Sequence, residues 1–117
     1  MYELKLHKNL TLEKWAKFSK TQQILMIANE LNRLLNCIDA NLSYEALREG
    51  MERMFELIDL TITTNSGGFK KEFLRWRESF WEFYLLDERE FKKSTDQIKA
   101  FYRVLMLANR ETAELLD

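Results

Sequence analysis

Carboxylates offer this sequence its best route to acid–base chemistry. Glu30 falls between Ile27 and Leu34 at the edge of an apolar helical stripe, and Glu52 and Glu56 stand one helical turn apart with Arg48 and Arg53 nearby. Paired carboxylates serve glycosidase-like or phosphohydrolase-like reactions once burial or a neighbouring charge separates their proton affinities. A plainer reading competes. Glu30–Arg33 and Arg48–Glu52 are spaced as helix-surface ion pairs, each attractive by only a few tenths of a kcal/mol, and Glu52–Glu56 is a like-charged pair of the same kind. With no cleft-forming loop or second domain to enclose a substrate, an enzyme ranks third among the readings. It would need a strongly perturbed carboxylate, with Glu30 as the candidate.

Most other catalytic devices cannot be written with these residues. His7 is the single histidine and Cys37 the single cysteine. That leaves no Glu-x-x-His pairs for a di-iron or di-manganese bundle, no zinc set and no histidine triad. Gly67-Gly68 in "NSGG" lacks the further glycines and the lysine of a phosphate-binding loop, and reads as a helix terminator. No cofactor and no metal are expected. Cys37 precedes the apolar Ile38 and reads as a buried, inert thiol. A lone cysteine makes no internal disulfide and favours a reducing compartment.

The stretch "KKEFLRWRESFWEFY" interleaves cations with rings, as surfaces for single-stranded nucleic acid do. Lys70, Lys71, Arg75 and Arg77 would supply the cations of that alternative, a small nucleic-acid-associated factor. Helical spacing weakens it. Phe73, Trp76, Phe80 and Phe83 fall on one core-facing stripe, and the opposite face of Lys71, Arg75, Glu78 and Glu82 is half acidic.

Four amphipathic helices must position these groups. "SKTQQ" is a capping box of Ser19 and Gln22, followed by a stripe of Ile24, Ile27, Ala28, Leu31, Leu34, Leu35 and Ile38, which predicts a helix over 20–40. Ser43 caps the next, 44–64, with Tyr44, Leu47, Met51, Met54 and Ile58 in its stripe. The third spans 69–87. "DEREFKK" then loosens the pattern, and Ser94 and Gln97 repeat the capping-box spacing ahead of a last helix through Ile98, Phe101, Leu105, Ala108, Thr112 and Leu115 to residue 117. Short connections make neighbours antiparallel, so the expected fold is all-α: one domain over 1–117, an up-down four-helix bundle over 19–117. Residues 1–18 supply a short helix over 11–18, capped by Thr11 and placing Trp15 and Phe18 over one bundle end, and an extended arm with Tyr2, Leu4 and Leu6. "LMIAN" (25–29) and "LMLAN" (105–109) place Ala28 and Ala108 alike on a core stripe, which reads as convergent packing rather than duplication.

With 46% hydrophobic and 32% charged residues, a formal charge of −1, no proline and three glycines, the composition is globular and helical. No net field draws it to nucleic acid or an anionic membrane. No apolar run reaches the length of a signal peptide or a membrane span, so a cytoplasmic protein is expected. Two helices carry more apolar surface than one stripe needs: Ala46, Gly50, Leu57 and Leu60 on the second, and Leu74, Trp81 and Leu85 on the third. Either the N-terminal segment covers these lines or a partner does. The leading expectation is a non-enzymatic interaction or scaffold protein that forms a homodimer through these residues or offers them to another protein.

Overall fold

Side-chain oxygens at helix starts set most element boundaries in the computed structural model, which describes residues 10–116. Thr11 Oγ1 accepts from the Lys14 N–H and opens α1 (Leu12–Lys17). Both halves of the Ser19–Gln22 capping box form, at 2.8 and 3.1 Å, and start α2 (Lys20–Asp39). Ser43 accepts from the Ala46 N–H at the head of α3 (Tyr44–Thr64). Then come α4 (Gly67–Tyr84), α5 (Glu88–Lys92), α6 (Thr95–Leu107) and α7 (Arg110–Ala113), and the described residues contain no strand. No described helix is long and apolar enough to cross a membrane. The arm around Tyr2, Leu4, Leu6 and His7 lies outside the described residues.

Three boundaries differ from the expectation. Gly67 and Gly68 open α4 instead of ending α3: Asn65 and Ser66 are extended, and Gly67 turns the chain at φ +68°, which glycine tolerates without a Cβ clash. Ser94 and Gln97 form no capping box. Ser94 is buried, and its hydroxyl donates to the Phe91 carbonyl at 2.6 Å, because "DEREFKK" folds into α5 with Phe91 in the core. The last helix is not continuous. Asn109 Oδ1 accepts from the Glu111 and Thr112 N–H groups, and the buried Thr112 hydroxyl donates to the Met106 carbonyl at 2.6 Å, so α6 stops and α7 restarts at an angle set by that bond. Ala108 is therefore a half-buried cap residue, not a core-stripe residue.

End-to-end contacts give the helix directions. Gln23, early in α2, accepts from Asn65 just past α3; Thr21 donates to Asn109 just past α6; and Arg48, early in α3, donates to the Tyr84 carbonyl at the end of α4. Each of the pairs α2–α3, α2–α6 and α3–α4 therefore runs antiparallel. The core collects Ile24, Ile27, Leu31 and Leu34 from α2, Leu47, Met51, Met54 and Ile58 from α3, Phe73 and Phe80 from α4, and Ile98 and Leu105 from α6.

Candidate functional site

Half of the apolar line expected on the second helix is covered from within the chain, and this corrects two of the interface candidates, Leu57 and Leu60. Ala46 and Gly50 are half-buried and line the cleft between α2 and α3, where a Cβ built on Gly50 would stand 3.2 Å from Leu34 Cδ1. Leu57 and Leu60 are buried to 1% and 0% exposure where α1 lies along α3. Trp15 of α1 is fully buried there, its indole N–H donating to Thr61 Oγ1 at 3.1 Å while that hydroxyl donates to the Leu57 carbonyl. Gln23 completes the corner, donating to the Trp15 carbonyl.

The line on α4 stays outside. Leu74 is 45% exposed, Trp81 42% and Leu85 67%, at spacings that place all three on one flank of the helix. Trp81 is held in place rather than loose: it stacks on Tyr84 with ring centroids 5.1 Å apart and meets Phe55 edge-on at 5.5 Å.

The expected nucleic-acid cations do not form a free set. Arg77 turns toward α3, its Nε 2.6 Å from Asp59 Oδ1 and its guanidinium over the Phe55 ring. Arg75 lies 3.7 Å from Glu72 on its own helix. Lys71 is exposed and Lys70 half-buried. Nor do the carboxylates converge. Glu30 pairs across helices with Arg53, at 3.5 Å, rather than along its helix with Arg33. Glu52 accepts from the Tyr84 hydroxyl, while Arg48 leaves Glu52 for Tyr44 and Tyr84, lying over the Tyr84 ring at 3.9 Å. The Tyr44 hydroxyl bonded to Arg48 is the largest cause of a guanidinium pKa raised above its ordinary value, so this latch between α3 and the α4 terminus is permanently charged. Cys37 is half-buried beside a cleft of about 200 Å³ between α2 and α3, which Glu30, Arg33, Glu49 and Arg53 also line.

A groove of about 290 Å³ between α4 and α6 was not foreseen. Trp76 and Phe83 from α4 and Phe101 from α6 make its floor, and Ser79, Gln97, Ala100 and Val104 its walls. Phe101 meets Phe80 at 5.5 Å and Phe83 at 5.8 Å, so rings space the two helices. The residues that follow outward are small, Ser79 and Ala100, and do not refill the gap. None of the lining side chains titrates near neutral pH. The groove can hold apolar side chains and give them one hydroxyl and one amide, but it has nothing to move a proton with.

The chain matches no protein family, no curated protein and no solved structure. Its functional reading therefore rests on these surfaces.

The signal for the groove was present in the sequence as Val104 and Leu107. Both are apolar, both lie off the Ile98–Phe101–Leu105 stripe, and they are 47% and 55% exposed.

Proposed function

We propose that this chain is a non-enzymatic helical interaction protein that forms a homodimer and offers the surface of α4 to a protein partner. One observation carries the reading: α4 has apolar groups open to water on both flanks, Leu74, Trp81 and Leu85 on one and the α6 groove on the other. Exposed large apolar side chains gathered on one helix support a partner site, because each one withdrawn from water contributes roughly 1.5–3 kcal/mol when fully buried. The architecture that goes with it is an antiparallel up-down four-helix bundle of α2, α3, α4 and α6, with its α4–α6 seam incompletely sealed. A lone cysteine suits a reducing, cytoplasmic setting for such a protein.

Sedimentation equilibrium of the unmodified chain at tens of micromolar tests the homodimer, and a monomer throughout that range ends it. The competing reading, a nucleic-acid-associated factor using Lys70, Lys71, Arg75 and Arg77, predicts retention on immobilised single strands that falls steeply with salt. Two of those four cations face carboxylates, which supports the interaction reading instead. A steep salt slope lost in a Lys70→Ala/Lys71→Ala variant would reverse the preference.

A further inference from the structure

We infer, resting on the reading of α4 as a surface for a protein partner, that the cleft at Trp81 takes a basic segment of that partner. An arginine or lysine of the segment lies on the indole beside Glu78 and Glu82. Where α3 meets α4, the rings of Phe55, Trp81 and Tyr84 contact one another, with centroids 5.1–5.8 Å apart. Two of these rings already carry a guanidinium from this chain. Arg77 lies over Phe55 at 5.3 Å and is held by Asp59, and Arg48 lies over Tyr84 at 3.9 Å. Among the described residues no cation lies over Trp81, although indole is the ring that attracts one best. Tyr84 stacks on Trp81, yet the residue stays 42% exposed.

The carboxylates around the ring set the sign of the occupant. An open cleft of about 460 Å³ is lined by Arg77, Glu78, Trp81 and Glu82. Arg77 is matched by Asp59 at 2.6 Å, whereas Glu78 and Glu82 are exposed and meet no cation among the described residues. Arg75, one turn before Glu78, faces Glu72 instead, and Lys71 stands a further turn away. On α3, Glu52, Glu56 and Asp59 flank Phe55 at helical spacing, and Glu52 accepts from the Tyr84 hydroxyl. Carboxylates therefore outnumber the guanidiniums of Arg48 and Arg77 around these rings. Any segment that covers Trp81 also takes Glu78 and Glu82 out of water, because they line the same cleft. An apolar or acidic occupant would leave both charges unpaired, which is costly, whereas a cation neutralises them. The same sign repels nucleic-acid phosphates and anionic lipid headgroups, so the cleft selects a basic protein segment. Leu74 and Leu85, on the same flank of α4, give that segment apolar contacts on either side of its cation.

The test uses synthetic peptides that share one helical leucine pattern and carry arginine, glutamine or glutamate at their polar positions. The indole N–H resonances of Trp15, Trp76 and Trp81 report where a peptide sits. Trp15 is buried between α1 and α3, Trp76 lines the α4–α6 groove and Trp81 lines this cleft. The arginine peptide should shift the Trp81 resonance, assigned with Trp81→Phe, and leave the other two in place. Glu78→Gln/Glu82→Gln, shown to fold by far-UV circular dichroism, should weaken binding by roughly ten-fold at low salt and by less as salt rises. Trp81→Ala should weaken it by roughly ten-fold in calorimetry, and the glutamate peptide should not bind. A glutamine peptide that binds at Trp81 as tightly as the arginine peptide overturns the cationic partner while keeping α4 as a partner surface. Unchanged affinity in the double glutamine variant does the same. A shift confined to Trp76 moves the site to the groove and overturns the cleft, and silence of all three indoles with every peptide overturns it too. Loss of a dimer in Trp81→Asp would show that a second copy covers the cleft, and would overturn the basic partner while keeping self-association.

Discussion

Replacing Trp15 by alanine asks whether α1 is a structural lid or a loose appendage. The indole is fully buried, and on α3 beneath α1 lie Leu57 and Leu60, also at 1% exposure or less. Truncating a buried Trp costs about 3–5 kcal/mol through lost transfer energy and the cavity left behind. The hydrogen bond from its N–H to Thr61 Oγ1, at 3.1 Å, contributes a further share of about 1 kcal/mol. Natural domains are stable by only about 5–15 kcal/mol, so this change should remove a large part of the total. At about 4 °C per kcal/mol for a chain of this size, the thermal midpoint should fall by about 12–20 °C. Trp15→Phe keeps most of the volume and loses the hydrogen bond, and should cost about 1–2 kcal/mol. Urea denaturation followed by circular dichroism measures both. The alanine variant should also bind an apolar dye, because Leu57 and Leu60 lose their cover. A loss under about 1 kcal/mol with no added dye binding would refute the lid and return Leu57 and Leu60 to the surface.

Gly50→Ala gains about 1 kcal/mol of helix propensity but brings its Cβ to 3.2 Å from Leu34 Cδ1, so stability should move by less than about 1 kcal/mol, whereas Gly50→Leu should lower it by about 1–3 kcal/mol; denaturant midpoints decide. Asn109→Ala removes the acceptor for the Glu111 and Thr112 N–H groups and should cost about 1 kcal/mol, with hydrogen exchange quickening locally over 110–113. Arg77→Ala breaks the Asp59 pair and the contact with Phe55, both partly exposed, and should cost about 0.5–1 kcal/mol, less at high salt; an unchanged midpoint would mean the pair contributes nothing.

Local signals were legible where the chain itself supplies both partners. Thr11 with Lys14, Ser19 with Gln22 and Ser43 with Ala46 are three residues apart, and all three caps form. The same spacing misled at Ser94 and Gln97, because Phe91 is drawn into the core and takes Ser94 with it, where the hydroxyl finds a carbonyl instead of an N–H. Burial overrode a local preference. Periodicity measured how wide the apolar face of α3 is, but not what lies on it. Ala46 and Gly50 read as a docking notch on α3 alone, and the structure sets them in a cleft against α2, with Leu34 close to Gly50. Arg77 and Glu30 find partners, Asp59 and Arg53, at separations that no helix rule anticipates. The α4–α6 groove was illegible for a similar reason: it depends on how far apart two helices stand.

Helix separation follows from the side chains between the axes, and the α2–α3 and α4–α6 seams differ in what stands there. Between α2 and α3 the contact includes Gly50, where an added Cβ would come within 3.2 Å of Leu34 Cδ1. Between α4 and α6 the corresponding layer is Phe80, Phe83, Phe101 and Trp76. Rings hold those helices apart, and the next residues outward, Ser79 and Ala100, are too short to bridge the gap. The two pentapeptides reflect the same principle. In α2 "LMIAN" buries Ile27 and Ala28, whereas in α6 "LMLAN" buries Leu105 and Met106 and leaves Leu107 55% exposed. Near-identical letters in a different register argue against a duplicated unit, since a copied helix would keep its buried face. In α2 that register closes the helix onto neighbours on more than one side. In α6, ended early by Asn109 and Thr112, it turns Val104 and Leu107 outward beside the groove. An apolar ridge next to an apolar slot follows from where the rings and the helix stop fall in the sequence.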